Sequence, residues 1–349
     1  VLPDPDVNRQ RHLQLRRTFH SLADERGNLT CEHEGAYLGG LDQAMAAHNN
    51  GGLVIAQVKR VVAAGTLKPH DVRVPGILVD AIVEVPEQWQ TTQTPYDPAI
   101  SGEAFKPLSS FAPMDWGVGK AIARRVAQEL KTGWAVNLGF GVSANVPRIF
   151  LEEGLHGAAT WVIEQGAVGG VPLLDFLFGC SSNAEAIVPS PQQFTYFQAG
   201  GFDCALLSFL QIDRTGSVNV SKLGVRPHVT AGAGGFVDIT ARARKIVFSG
   251  YFNAGARMAI VGGRVRIETE GKVKKLVPEV EQVSFSGRRG LAQGQDVTYV
   301  TERCVMKLTP DGLLVTEIAP GIDVGADILA QADLPLRIAP DAKPMAAKL

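Results

Sequence analysis

The apolar and polar positions divide the chain into a helical and strand-rich first part, a patternless middle and a longer second part. Residues 34–49 read as a helix. The run Gly51-Gly-Leu-Val-Ile-Ala-Gln-Val-Lys-Arg-Val-Val62 follows with a glycine pair and then β-branched residues, which predicts a strand. Residues 76–84 predict a further strand. Residues 85–117 hold five prolines with several Gln and Thr and no clear period, and they read as a long connection between domains. Ile122, Ala123, Val126 and Leu130 then form one apolar stripe, so the spacing predicts a helix over 118–131, stopped by Gly133. A strand over 134–138, a turn over 139–141, a helix over 145–153 and a strand over 160–163 give a βαβ alternation that ends at Glu164. Short strands with glycine turns continue to about residue 330.

The ends carry weaker patterns. Residues 1–20 are polar, rich in Arg and Gln, and read as a loose arm or a fragment. The Ala- and Pro-rich residues 331–349 read as a tail. An internal echo links the two parts. Ala23-Asp-Glu-Arg-Gly-Asn-Leu29 and the glycine-led strand 51–62 resemble Asp213-Arg-Thr-Gly-Ser-Val-Asn219 and the Gly-Gly pair leading into 234–247. The order of the two matches predicts two related α/β domains.

Composition narrows the function classes. Thirty-four basic residues against 35 acidic ones leave a net charge near zero. That balance points to no nucleic-acid or anionic-membrane partner. No apolar run approaches the length of a membrane span, and no secretory leader pattern opens the chain. Cys31, Cys180, Cys204 and Cys304 lie far apart, as free thiols in a reducing cytoplasm do. The seven histidines have no metal-ligand spacing and read as surface or turn residues, and no metal site is expected.

Two segments carry the candidate chemistry. In Val136-Asn-Leu-Gly-Phe-Gly-Val-Ser-Ala-Asn-Val146, a strand meets a glycine turn that opens a helix, a setting suited to anions. Gly139-x-Gly141-x-x-Ala144 also fits the dinucleotide fingerprint, with Glu164 placed as its ribose-binding acid. A nicotinamide oxidoreductase is therefore the alternative from spacing alone. In Trp161-Val-Ile-Glu164-Gln-Gly-Ala-Val-Gly-Gly-Val-Pro172, a carboxylate ends an apolar strand and three glycines follow. Those glycines keep bulky groups away from the space beside the carboxylate, which is what a nucleophilic Glu requires. Phe178-Gly-Cys-Ser-Ser-Asn183 reads as a ligand loop or a cap for a helix starting near Asn183. Thr230-Ala-Gly-Ala-Gly-Gly-Phe-Val-Asp238 can turn amides toward developing negative charge. Thr301-Glu-Arg-Cys304 and Glu317-Ile-Ala-Pro-Gly-Ile-Asp323 read as structural.

These segments together resemble the family I CoA-transferases of the acetate, propionate and 3-oxoacid type. The likeness rests on Asn137-Leu-Gly-Phe-Gly141, Glu164 to Pro172, Phe178 to Asn183, Gly200-Gly-Phe-Asp203, Gly234-Gly-Phe236, Thr301-Glu-Arg303 and Glu317 to Gly321, and it runs from about residue 22 to residue 330. The resemblance implies an α/β fold of two related CoA-transferase domains, each with a mostly parallel sheet flanked by helices. Here the first domain is incomplete: 21–117 would be a partial N-terminal domain with its linker, and 118–330 the C-terminal domain. It also implies a ping-pong transfer of CoA between a short-chain acyl-CoA and a carboxylic acid, through an acyl-glutamyl anhydride and a glutamyl-CoA thioester on Glu164. Gly234 and Gly235 would be oxyanion donors. Asn137, Gly139, Gly141, Gly169, Gly170, Asn183 and Gly232 would meet CoA, the cosubstrate, with no permanently bound cofactor. The implied partners are acyl-CoA, a carboxylate and further copies of the chain. The family's first domain begins well before the point where residue 22 aligns, and the preceding part usually holds substrate loops and an oxyanion glutamine. A complementary N-terminal chain, or an inactive fragment that only binds CoA, is the corresponding alternative. Leu173-Leu174-Asp175, just after the Glu164 loop, is bulkier than the Ala-Gly-Gly type expected in some relatives, which implies an altered acyl pocket.

Overall fold

The computed structural model describes residues 16–224 and 232–346. The first part builds a five-stranded sheet in the order Val72–Val74, Leu29–Thr30, Arg16–Asp24, Val54–Val62, Ala81–Glu84. The last three of these run parallel and the others antiparallel. The helix Gly40–Asn49 buries Ala44 and Ala47 against Val54, Ala56 and Val58 of this sheet.

The second part is a ten-stranded sheet among the described residues. Five strands in its middle run parallel, in the order Ala159–Val162, Trp134–Leu138, Cys204–Leu207, Lys245–Ser249, Asp296–Val300. Cys204–Leu207 and Lys245–Ser249 are buried along their whole length, as strands covered on both faces must be. One face packs Phe197, Phe202, Phe236, Phe248 and Tyr299, with Phe248 stacked between Phe236 and Tyr299 at ring separations of 5.7 and 5.5 Å. The other packs Ile122, Val126, Ile149 and Trp161.

Several elements differ from the sequence reading. The helix expected over 34–49 starts only at Gly40, because Gly35 fits against Cys180 Sγ and Ile100 where a side chain has no room. Residues 76–78 form a short 3-10 turn before the Ala81–Glu84 strand, since Gly76 lies on the Arg26 carbonyl. The expected tail is part of the sheet: Arg337–Pro344 pairs in parallel with Gly312–Ile318, and the Gln128 side chain holds the Ala346 carbonyl at 2.9 Å. Arg16–Asp24 is likewise a sheet strand and not part of an arm. Residues 1–15 lie outside the described residues.

The internal echo holds in one half and fails in the other. Gly27 N–H donates to the Asp24 carbonyl and Gly216 N–H to the Asp213 carbonyl, both at 2.9 Å. The Asp24 and Asp213 N–H groups each donate to the partner strand's carbonyl at 3.0 Å, so the two hairpin turns are alike. Gly51 and Gly52, however, follow a helix, whereas Gly234 and Gly235 precede one, Phe236–Arg242. Phe236, Ile239 and Ala243 are buried at helical spacing there, so 236–242 is not a strand.

Candidate active site

Glu164 stands at the end of the buried Ala159–Val162 strand, in a tight turn that runs straight back as Ala167–Val168. Ile163 N–H donates to the Ala167 carbonyl and Gly166 N–H to the Ile163 carbonyl, both at 2.9 Å. Gly166 has φ +120°, and a Cβ there would occupy the position of the Val188 carbonyl oxygen. Only glycine makes this turn. The Ser190 hydroxyl donates to the Glu164 carbonyl at 2.7 Å, and Ser190 N–H donates to the Leu38 carbonyl at 3.0 Å. The first part of the chain thereby reaches the turn that carries Glu164.

The Glu164 carboxylate faces the Gly234–Gly235 pair. Gly235 N–H donates to it. A Cβ on Gly235 would collide with the carboxylate and with the Phe194 ring, and a Cβ on Gly234 would lie 3.7 Å from Oε1. Burial raises the Glu164 carboxyl above the ordinary carboxylate range, the Gly235 amide offsets part of that, and the Asp238 charge adds to it. The Gln165 amide reaches Oε1 only at 3.5 Å, and its own Oε1 is buried without a partner. The result is a half-buried carboxylate with the Gly235 amide beside it and little solvation.

The other expected residues divide. Gly141 has φ +117° and sits over Ser208. Gly139 N–H is taken by the Leu206 carbonyl at 2.8 Å, so this turn offers one amide fewer to an anion than its sequence suggests. The turn leads into a 3-10 segment over Val142–Asn145 and then a seven-residue helix, Val146–Glu152. Glu164, which the dinucleotide alternative would place at a ribose, faces the Gly234–Gly235 pair instead. Gly232 is exposed, with open space where a side chain would be. Thr230 and Ala231 lie outside the described residues.

Four of the residues expected to meet CoA make close contacts within the chain. Asn137 has no exposed surface; its amide holds the Val162 carbonyl at 3.2 Å and steadies the strand beneath Glu164. Asn183 adopts a left-handed φ of 58° and starts no helix. Its amide donates to the Lys106 carbonyl and accepts from Lys106 N–H, both at 2.8 Å, which clamps the long connection. Gly169 is buried with its N–H on the Trp161 carbonyl at 2.8 Å. Its Cα and that of Gly170 face Glu185 and Ser182–Asn183, so both are glycines because the loops pack closely.

Ser190, Phe194 and Asp238 shape the site, and sequence reasoning assigned none of them to it. Asp238 closes the glycine-rich segment that begins at Thr230, but nothing in its neighbours marks it as facing Glu164. Thr301–Arg303 is structural, as expected. The fully buried Arg303 holds Glu270 at 2.7 and 2.9 Å and Glu302 at 3.1 Å. His20, expected at the surface, is buried, and its burial holds the imidazole neutral down to about 4. All four cysteines are free. Among the described residues there is no metal-ligand cluster, and no helix is long and apolar enough to cross a membrane.

Comparison with known proteins agrees with this architecture. Residues 19–85 match the family described as Coenzyme A transferase. The chain is 44% identical over 331 residues to the caffeate CoA-transferase of Acetobacterium woodii, covering 93% of this chain and 63% of that protein. It is 38% identical over 331 residues to the acetate CoA-transferase YdiF of Escherichia coli K12, covering 94% of this chain and 62% of the relative. The crystal structure of the acyl-CoA transferase YdiF from E. coli O157:H7, described as a thioester complex with CoA, superposes with a TM-score of 0.86 at 36% identity, over 95% of this chain and 62% of that one. The chain thus spans about three-fifths of the length of these relatives. On these matches and this fold, the chain is similar over most of its length to the coenzyme A transferases.

Proposed function

We propose that the chain carries the nucleophilic part of an enzyme that moves CoA between a short-chain acyl-CoA and a free carboxylic acid, with Glu164 as the covalent residue. The observation that carries this reading is the half-buried Glu164 carboxylate, set beside the Gly235 amide at the carboxyl edge of the parallel sheet. In this reading a Glu164 oxygen attacks the thioester carbonyl of the donor, and CoA leaves as thiolate. The acyl group and Glu164 then share an anhydride. The thiolate attacks the glutamyl carbonyl, the donor's carboxylate departs, and Glu164 holds CoA as a thioester. An incoming carboxylate reverses both steps. Each tetrahedral stage places a negative oxygen on or beside Glu164, where Gly235 N–H already points. Poor solvation of the carboxylate favours attack once it is ionised. The relatives' activities, named for caffeate and acetate, support a carboxylate acceptor of modest size. The Leu173–Asp175 segment is where we expect the acyl pocket to differ.

Mixing the protein with acetyl-CoA and labelled propionate, with and without the N-terminal part of a relative, tests the reading. Propionyl-CoA formation that is lost in Glu164→Ala is the expected result. A folded chain that binds CoA and makes no propionyl-CoA under either condition would favour the alternative, a fragment that only binds CoA.

A further inference from the structure

Glu164 and Gln165 are the two middle residues of the turn closed by Gly166 N–H on the Ile163 carbonyl at 2.9 Å, so a fixed backbone sets their side chains next to one another. The Gln165 side chain folds over Gly179, where a Cβ would lie 2.9 and 3.0 Å from its Cγ and Cδ. Gly179 has φ +112° and leads into Cys180, whose Sγ would stand 2.8 Å from a Cβ at Gly35. The first part of the chain thus backs the 178–180 loop, and the loop holds Gln165 beside the carboxylate.

The two carboxylate oxygens face different groups. Oε2 lies against Gly235, where a Cβ would collide with it. Oε1 lies 3.5 Å from Gln165 Nε2, too far for a firm hydrogen bond. The carboxylate would repel an amide oxygen, which fixes Nε2 as the near atom. Nε2 meets no other acceptor among the described residues, and Gln165 Oε1 is buried with no donor. A buried amide is normally paired at both ends. One with a free N–H beside a nucleophilic oxygen is placed to meet negative charge that develops only during reaction.

We propose that Gln165 is a catalytic residue, donating from Nε2 to the oxygen of the acyl group, while Gly235 serves the oxygen that stays on Glu164. The inference rests on the transfer reading above. When Glu164 Oε1 bonds to the thioester carbon, the carbonyl π pair moves onto the acyl oxygen, on the carbon now joined to Oε1. Nε2 meets that charge, and return of the pair expels CoA as thiolate. In the next step the thiolate attacks the glutamyl carbon. Charge then gathers on Oε2, beside Gly235, and its return expels the acyl group as carboxylate. Gln165 stabilises the first of these stages and not the second.

Gln165→Met keeps the length of the side chain and removes the donor. Exchange between acetyl-CoA and labelled propionate, with the N-terminal part of a relative supplied, should fall by about a hundredfold. The KM for acetyl-CoA and the melting temperature should stay near the parent's. A second readout separates catalysis from packing. Glutamyl-CoA should form slowly from acetyl-CoA in Gln165→Met, yet hydroxylamine should cleave the adduct, once formed, at the parent's rate, because that attack is on the glutamyl carbon. Undiminished exchange, or hydroxylamine cleavage slowed as much as adduct formation, overturns the role. Should Gln165→Met fail to fold, Gln165→Asn, one methylene too short to reach, takes its place under the same criteria. Exchange that depends on Glu164 and not on Gln165 sinks this role alone. No exchange in the folded parent, or full exchange in Glu164→Ala, sinks the transfer reading and this role with it.

Discussion

The backbone N–H of Gly235 donates to the carboxylate of Glu164, although 71 residues separate them in the chain. The strand Ala159–Val162 brings one to the sheet edge, and the start of the helix Phe236–Arg242 brings the other. Gly235→Ala places a methyl group against both the carboxylate and the Phe194 ring. We expect acyl exchange to fall by about 10²–10³-fold, the usual effect of losing an oxyanion donor. A melting temperature close to that of the unmodified protein would show that the loss lies in the chemistry. Undiminished exchange would remove Gly235 from the mechanism.

Asp238 raises the Glu164 carboxyl in addition to the effect of burial. Glu164 acts as a nucleophile only when ionised, so its reaction with acyl-CoA should rise with pH through its raised pKa. Asp238→Asn takes away a like charge and lowers that pKa, so the acidic limb of the rate profile moves to lower pH. An unmoved limb would mean that Asp238 does not govern Glu164.

Asn183 clamps the backbone of Lys106 through two bonds of 2.8 Å while held at φ 58°. Asn183→Ala loses both bonds and strains the backbone, and should cost about 2–3 kcal/mol. Asn183→Gly relieves the strain and should cost less. Urea midpoints rank the three proteins, and faster proteolytic cutting within 85–117 would locate the damage. Equal midpoints would contradict the clamp.

Burial raises the Glu34 carboxyl to about 7, with the Ser21 hydroxyl opposing the shift and Glu32 adding to it. The folded protein thus holds this proton more tightly than the unfolded chain does. The stability it contributes is complete below about 4.5 and is lost as pH rises through about 7. Glu34→Gln keeps the side chain's shape without the ionisation. Its melting temperature should match the parent's at pH 5 and exceed it by a few degrees at about pH 8. An equal difference at both pH values would contradict the buried-acid account.

Periodicity made the parallel strands legible, because Trp134–Leu138 and the strand ending in Glu164 are apolar runs bounded by glycine turns. The nucleophile was legible for the same reason: a carboxylate at the end of a buried strand, followed by glycines, is chemically conspicuous. Long-range contacts were not. Asn137 and Asn183 look like ligand residues in sequence, yet each holds a distant backbone group, Val162 and Lys106. The glycines at 169 and 170 pack closely on Glu185 and on Ser182–Asn183. Arg337–Pro344 joins the sheet through a neighbour whose register no local pattern records. Gly-Gly pairs at 51 and 234 look equivalent until the helix falls before one and after the other.

Covalent catalysis by Glu164 is tested most directly by mass spectrometry of the peptide that contains it, after incubation with acyl-CoA and supply of a relative's N-terminal part. The predicted result is the mass of CoA on Glu164, reducible by borohydride and absent from Glu164→Ala. A folded, CoA-binding protein that exchanges acyl groups with no adduct on Glu164, or that still turns over as Glu164→Ala, would contradict it.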